Sequence, residues 1–225
     1  MEDTSEYQPL SVGKFITYRL DSTVFVNFGR DEEIRSFEEK HVFDAEVLDA
    51  QGRPAFRVFR YTRDTAGLES WKPAGTYYIA LSDNTVEVTE NSLRKLALAD
   101  PLKLDFEWKG NRYLPTEPFA GKYNFSNDDY MYDWNFMYES TGESLQLKNH
   151  LVENVISINH IDESINVPIS TPSAYASINF AVEKYAKGLG LVYQELTMWE
   201  YQPNPSGPSG YKTGFGVKRS MIDHN

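Results

Sequence analysis

The sequence predicts a mainly β protein, an antiparallel sheet curled into a barrel, half-barrel or sandwich, with at most one or two short helices. Apolar and polar residues alternate with period two through most of the chain, and Gly, Asn and Asp turn signals separate the alternating runs. Aromatic residues, which suit a pleated and half-buried surface, make up 14% of the sequence. Roughly a dozen strands joined by short connections favour a sheet that curls on itself over an open one. Whether it closes is not legible from the pattern.

The elements follow in order. Residues 14–28 form a strand or bent pair, with Phe15, Thr17 and Arg19 alternating against Ile16, Tyr18 and Leu20, and residues 29–33 form the loop after it. Residues 36–48 make a second long strand with Phe37, His41, Phe43, Ala45 and Val47 on one face, turned by residues 49–52 into a strand over 55–63. Residues 76–81 and 85–88 flank Asp83-Asn84, a pair that tolerates the positive φ of a tight hairpin. Leu93, Leu96 and Ala97 recur at helical spacing behind a possible Asn91 or Ser92 cap, which predicts a short helix ended by Pro101. Residues 102–108 and 112–114 flank the turn Lys109-Gly110-Asn111 as a further hairpin. Strands are predicted at 130–139, 144–148, 152–160, 178–186, 191–201 and 214–223. The Pro-, Gly- and Ser-rich residues 203–210 suit a mobile tip between the last two of these. Neither a repeat nor a composition break divides the chain, so residues 1–8 read as a flexible tail and 9–225 as one domain.

Composition narrows function. With 22 Lys+Arg against 33 Asp+Glu, the net charge of −11 repels phosphate backbones and anionic lipid surfaces, so nucleic acid is not an expected partner. The absence of Cys removes thiol nucleophiles, redox CxxC motifs, disulfides and thiolate metal sites. No apolar run approaches the roughly 18 residues of a membrane span. The acidic, polar start of the chain has neither the positive charge nor the apolar stretch of a signal peptide.

Four short segments carry a resemblance: Tyr7-Gln8-Pro9-Leu10-Ser11-Val12-Gly13, Trp108-Lys109-Gly110-Asn111, the stretch from Tyr185 through Gly188-Leu189-Gly190 to Glu195, and Met221-Ile222-Asp223-His224-Asn225. They are similar to segments of uncharacterised cell-envelope lipoproteins of the Bacteroidetes type. The third also resembles the strand-turn-strand of β-folds related to lipoprotein carriers, which implies a curved sheet open on one side. The resemblance implies an exported, lipid-anchored protein, periplasmic or surface-exposed, tethered through a Cys just before residue 2. Met1 would then replace the removed segment, and the anchor would be the chain's only contact with membrane. It implies no activity and no catalytic residues.

Among candidate sites, Tyr130, Tyr132, Trp134, Phe136 and Tyr138 occupy every second position and would share one face of a strand. Such a face could be a platform for a sugar, lipid or peptide, since Tyr and Trp join a flat apolar body to a polar tip. Large residues on an alternating face are also what burial in a core looks like, and that reading is the favoured one. Trp199 and Tyr201 would extend either reading. Adjacent carboxylates such as Glu38 and Glu39 or Asp162 and Glu163 point to opposite faces of a strand, so they read as solvated charge and not as an acid/base pair. Asn127, Asp128, Asp129 and Asp133 offer oxygen ligands without the loop glycine and terminal glutamate of a calcium loop. His41, His150, His160 and His224 have no metal-ligand spacing, and only His160 near Asp162 suggests a pair. Gly142-Glu143-Ser144-Leu145-Gln146 lacks the last glycine of a nucleophile elbow. Gly188-Leu189-Gly190 and Gly214-Phe215-Gly216 lack the context of a dinucleotide loop. Arg53, Arg57, Arg60 and Arg63 share one hairpin, where Asp44, Glu46 and neighbours would neutralise them across the strands.

These observations give a non-catalytic envelope protein that binds an apolar or amphipathic ligand or docks a partner protein, with no catalytic residue, cofactor or metal. The alternatives are a glycan hydrolase with carboxylates drawn from distant positions and an assembly module using an exposed edge strand.

Overall fold

A computed structural model describes residues 3–82, 84–123, 125, 130–204 and 210–225. Asp83 of the expected hairpin turn, the oxygen cluster at Asn127, Asp128 and Asp129, and residues 205–209 of the expected tip lie outside the described residues.

Alternation and turn chemistry set the strands. These are β1 (Phe15–Val26), β2 (Asp31–Leu48), β3 (Pro54–Arg63), β4 (Lys72–Ser82), β5 (Thr85–Glu90) and β6 (Leu93–Ala99), followed by β7 (Glu107–Trp108), β8 (Phe136–Gln146), β9 (Leu151–Ile165), β10 (Ala176–Ala186), β11 (Gly190–Gln202) and β12 (Tyr211–His224). One α-helix, α1 (Ala120–Tyr123), is present among the described residues. All twelve strands form a single sheet in the order β6-β5-β4-β3-β2-β1-β12-β11-β10-β9-β8-β7, with every pairing antiparallel.

Because β1 pairs with β12, the first and last strands lie mid-sheet and the two free edges, β6 and β7, are neighbours in sequence. The sheet curls until those edges nearly meet, which makes it an almost closed barrel. Leu96 N–H donates to Gly110 C=O at 2.8 Å, and the Trp108 indole N–H donates to Leu96 C=O at 2.9 Å. Tyr138 completes the seam: its hydroxyl donates to Ala99 C=O at 2.8 Å and accepts from Ala99 N–H at 3.2 Å. Side chains thus satisfy edge groups that a further strand would otherwise pair.

The segment between β7 and β8 packs into the barrel. Phe119, Tyr123 and Phe125 surround Phe215 of β12, with the Tyr123 ring stacked on it at 3.8 Å. Leu114 and Met131 join the same core, which also holds Val58, Leu98, Trp108, Phe136 and Ile158.

Several expectations are corrected. Residues 93–99 are edge strand and not helix: Asn91 and Ser92 have φ of 51° and 65° and turn Glu90 into Leu93 as a two-residue hairpin. Residues 112–114 form no strand, and β7 pairs with β8 instead. The strand expected from 130 starts at Phe136, because Tyr130 is left-handed at φ 53° and Met131–Asp133 is a 3-10 turn. Of the residues expected as a tail, 3–8 are described. Asp3 caps a 3-10 turn over Thr4–Tyr7, Gly188 N–H donates to Glu6 C=O at 2.8 Å, and Tyr7 is fully buried.

Candidate functional site

Alternation along the strands decides which side chains enter the barrel. On β2, Glu39 and His41 share the inward face with Phe43; on β10, Glu183 lies between Ala181 and Tyr185; on β12, Arg219 lies between Val217 and Met221. Charged residues therefore stand where apolar ones flank them two positions away. Arg60 of β3, Glu90 of β5 and Lys95 of β6 join them.

These groups form a continuous belt. Arg60 reaches Glu90 at 2.6 Å and Glu39 at 3.4 Å. Glu39 accepts from Arg219 Nε at 2.6 Å, and Arg219 donates in turn to Gln194 Oε1. Gln194 Nε2 donates to Glu183 Oε1 at 2.6 Å, and Lys95 of the opposite barrel edge bonds the same carboxylate. Tyr185 O–H donates to the other Glu183 oxygen at 2.9 Å. Anions and cations alternate along this chain, the arrangement that lets charge remain buried.

The electrostatics follow from the pairing. Burial opposes ionisation of Glu183, but the neighbouring charges and hydrogen bonds, those of Lys95 foremost, together hold the carboxyl below the usual carboxylate range. Burial likewise opposes charge on Glu39 and Arg219, and their mutual attraction keeps both ionised. Burial pushes His41 down despite Glu39 beside it, so the ring is neutral. The neutral ring fits its contacts: Nε2 faces Glu39 at 3.0 Å and donates, while Nδ1 accepts from Tyr77 O–H at 2.9 Å. Burial also carries His160 down to about 3, and its ring stacks on Phe136 at 3.6 Å.

Against this belt lies a cavity of about 210 Å³. Phe43, Ile79, Val88, Leu114, Phe119 and Met131 supply apolar wall, and Asn111, His160, Glu183, Lys95 and Arg219 supply polar groups. Asn91 of the β5–β6 turn and Lys122 of α1, both exposed, also border it.

The arrangement suits binding better than catalysis. Glu183 has no proton to deliver at neutral pH, and burial raises the Tyr77 and Tyr185 hydroxyls well away from nucleophilic ionisation. Among the described residues, no cluster of three or more His, Asp or Glu side chains could hold a metal ion.

The residues singled out in the sequence fall elsewhere. Tyr130 and Tyr132 are exposed and meet edge to face at 6.1 Å, and Trp134 is buried just before β8. Phe136 and Tyr138 do share a strand face, but both are sealed in the core, and none of these five borders the cavity. Trp199 and Tyr201 pack with Ala176, Phe25 and Ile178 in a separate cluster, where Tyr201 O–H donates to Pro172 C=O at 3.0 Å. His160 approaches Glu183 and not Asp162. Arg57 and Arg63 pair with Asp44 and Glu38 as cross-strand neutralisation requires, Arg53 pairs with Glu87 and Asp49, and Arg60 alone of the four enters the buried belt. Reading adjacent carboxylates as solvated charge hides the belt and the cavity. The legible signal was an ionisable residue two positions from an interior aromatic, as in Glu39-Lys40-His41-Val42-Phe43.

No protein-family model matches the chain, and no curated protein matches it. Among solved structures, it is similar to a Bacteroides fragilis protein described as exported with a YmcC-like fold, at 13% identity and a TM-score of 0.40, covering 96% of this chain and 98% of that one. It is also similar to a Vibrio parahaemolyticus domain described as an outer-membrane lipoprotein-sorting protein, at 10% identity and a TM-score of 0.25, covering 99% of this chain and 89% of that one.

Proposed function

We propose that this protein is a non-catalytic binder of a small amphipathic molecule, held inside the barrel, and that it works in the cell envelope, as its sequence resemblance implies. The cavity carries the first part of the reading. Apolar walls from β2, β4, β5 and the β7–β8 segment face the same space as paired or buried polar groups from β6, β9, β10 and β12. That mixture of apolar surface with a few convergent polar groups is what a ligand site uses for affinity and orientation.

Size narrows the ligand. An apolar cavity of about 150 Å³ admits benzene, so one of about 210 Å³ takes a body of roughly eight to ten non-hydrogen atoms. One ring with a short substituent fits, and a multi-chain lipid does not fit this conformation.

Ethylbenzene tests the reading by mass action, since a ligand that binds only the folded state raises the melting temperature with concentration. The wild-type chain should show a concentration-dependent rise. Val88→Phe, whose ring occupies the cavity, should fold and lose that rise. No rise in the wild type, or an equal rise in both proteins, would contradict binding at this site.

A further inference from the structure

Asn111 follows the glycine at the barrel seam, and its backbone is fixed from both sides. Gly110 C=O accepts from Leu96 N–H at 2.8 Å, and Asn111 C=O accepts from Leu114 N–H at 2.8 Å. The residue is 1% exposed and lines the cavity, yet neither its Oδ1 nor its Nδ2 has a hydrogen-bond partner in the protein. Native proteins rarely leave buried polar atoms unmatched, because each forfeits its hydration without replacement. Here both ends of one amide are unmatched, in a wall whose other polar groups, Glu183, Gln194 and Arg219, bond to one another.

A second group shares the setting. The His160 side chain is buried and lines the same cavity, and its Nε2 makes no hydrogen bond, lying 3.7 Å from the Glu183 carboxylate. Asn111 and His160 are tied to one rigid element. The His160 ring stacks on Phe136, and the Cα of Gly110 sits so close to that ring that an added Cβ would come within 2.2 Å of it.

Resting on the cavity-binding reading above, we infer that Asn111 reads the polar end of the ligand, a neutral molecule whose apolar body carries a group that donates and accepts at adjacent atoms, a carboxamide above all. The chemistry selects it. A side-chain amide offers one acceptor beside two donors, and a carboxamide meets it through two parallel N–H···O bonds. An ionised carboxylate only accepts, so it leaves Oδ1 unmatched, and the cations of the belt are already paired. An ammonium only donates and leaves Nδ2 unmatched. A purely apolar end leaves both atoms unmatched. A ligand therefore gains at this amide only if it makes both bonds.

Calorimetric titration of the full chain with benzamide, benzoate and ethylbenzene at neutral pH tests this, in the wild type and in Asn111→Leu. Benzamide should bind the wild type at least about tenfold more tightly than either other probe. In Asn111→Leu that preference should vanish, with ethylbenzene bound as well as before or better. The variant should melt no lower than wild type, because replacing an unmatched amide with an apolar side chain of similar shape removes a desolvation penalty. Binding of ethylbenzene with no wild-type preference for benzamide would overturn the role of Asn111 and leave the cavity reading standing; that comparison needs no variant. A benzamide preference that persists in Asn111→Leu would also overturn it. No binding of any probe would overturn both.

Discussion

His160 sits buried against Phe136, and its neutrality links the site to pH. In the unfolded chain the ring titrates at 6.5, whereas burial lowers it in the folded protein to about 3. Between those values the unfolded state binds the extra proton, so stability rises with pH across the window and is lost as pH falls below 6.5. His41 and Glu183, both lowered, act with the same sign, Glu183 below 4.5. The His160 contribution alone should remove about 3 kcal/mol between neutral pH and pH 4. Urea midpoints across that range should fall accordingly in wild type and fall less in His160→Gln, and a flat profile would show that the ring is not held neutral. Residue by residue, the sequence showed which positions face inward better than it showed what stands there. Glu39, Glu183 and Arg219 each follow the alternation of apolar neighbours, but their partners lie on strands far off in sequence, and no local pattern announces a charge that is answered across the barrel.

At the scale of elements, the long strands β9 to β12 were legible because one face is apolar, the other is polar and the connections carry glycine or proline. Strand β6 was not. Leu96, Ala97, Leu98 and Ala99 are all buried, and burial on both faces erases the period of two that identifies a strand. The aromatic run before β8 misled in the opposite way, its alternation continuing through a left-handed residue and a 3-10 turn that no side-chain pattern records. Tyr138, at the end of that run, holds the seam. Tyr138→Phe keeps the ring and removes one hydroxyl, leaving the N–H and C=O of Ala99 without their partner. The substitution should destabilise the protein by about 2 to 3 kcal/mol and speed amide exchange at Ala99 and its β6 neighbours. A loss below about 0.5 kcal/mol would show that the seam does not depend on this bond.

For the whole molecule, the meander places both chain ends mid-sheet and leaves one seam, and the segment between the edge strands turns inward to fill the barrel without filling it completely. The fold class was readable because alternation runs through most of the strands. The cavity was not, because it is what remains after β strands and an irregular segment pack together, and no residue encodes a space. The central claim is that this space receives a small molecule. Methyl NMR of the wild-type chain titrated with benzamide tests it most directly, by reporting at once whether and where the probe binds. The account predicts saturable shifts at Ile79, Val88, Leu114 and Met131, which border the cavity, with Val12, Leu68 and Leu151 on the exterior unmoved. Shifts confined to the exterior methyls, or none at all, would contradict it.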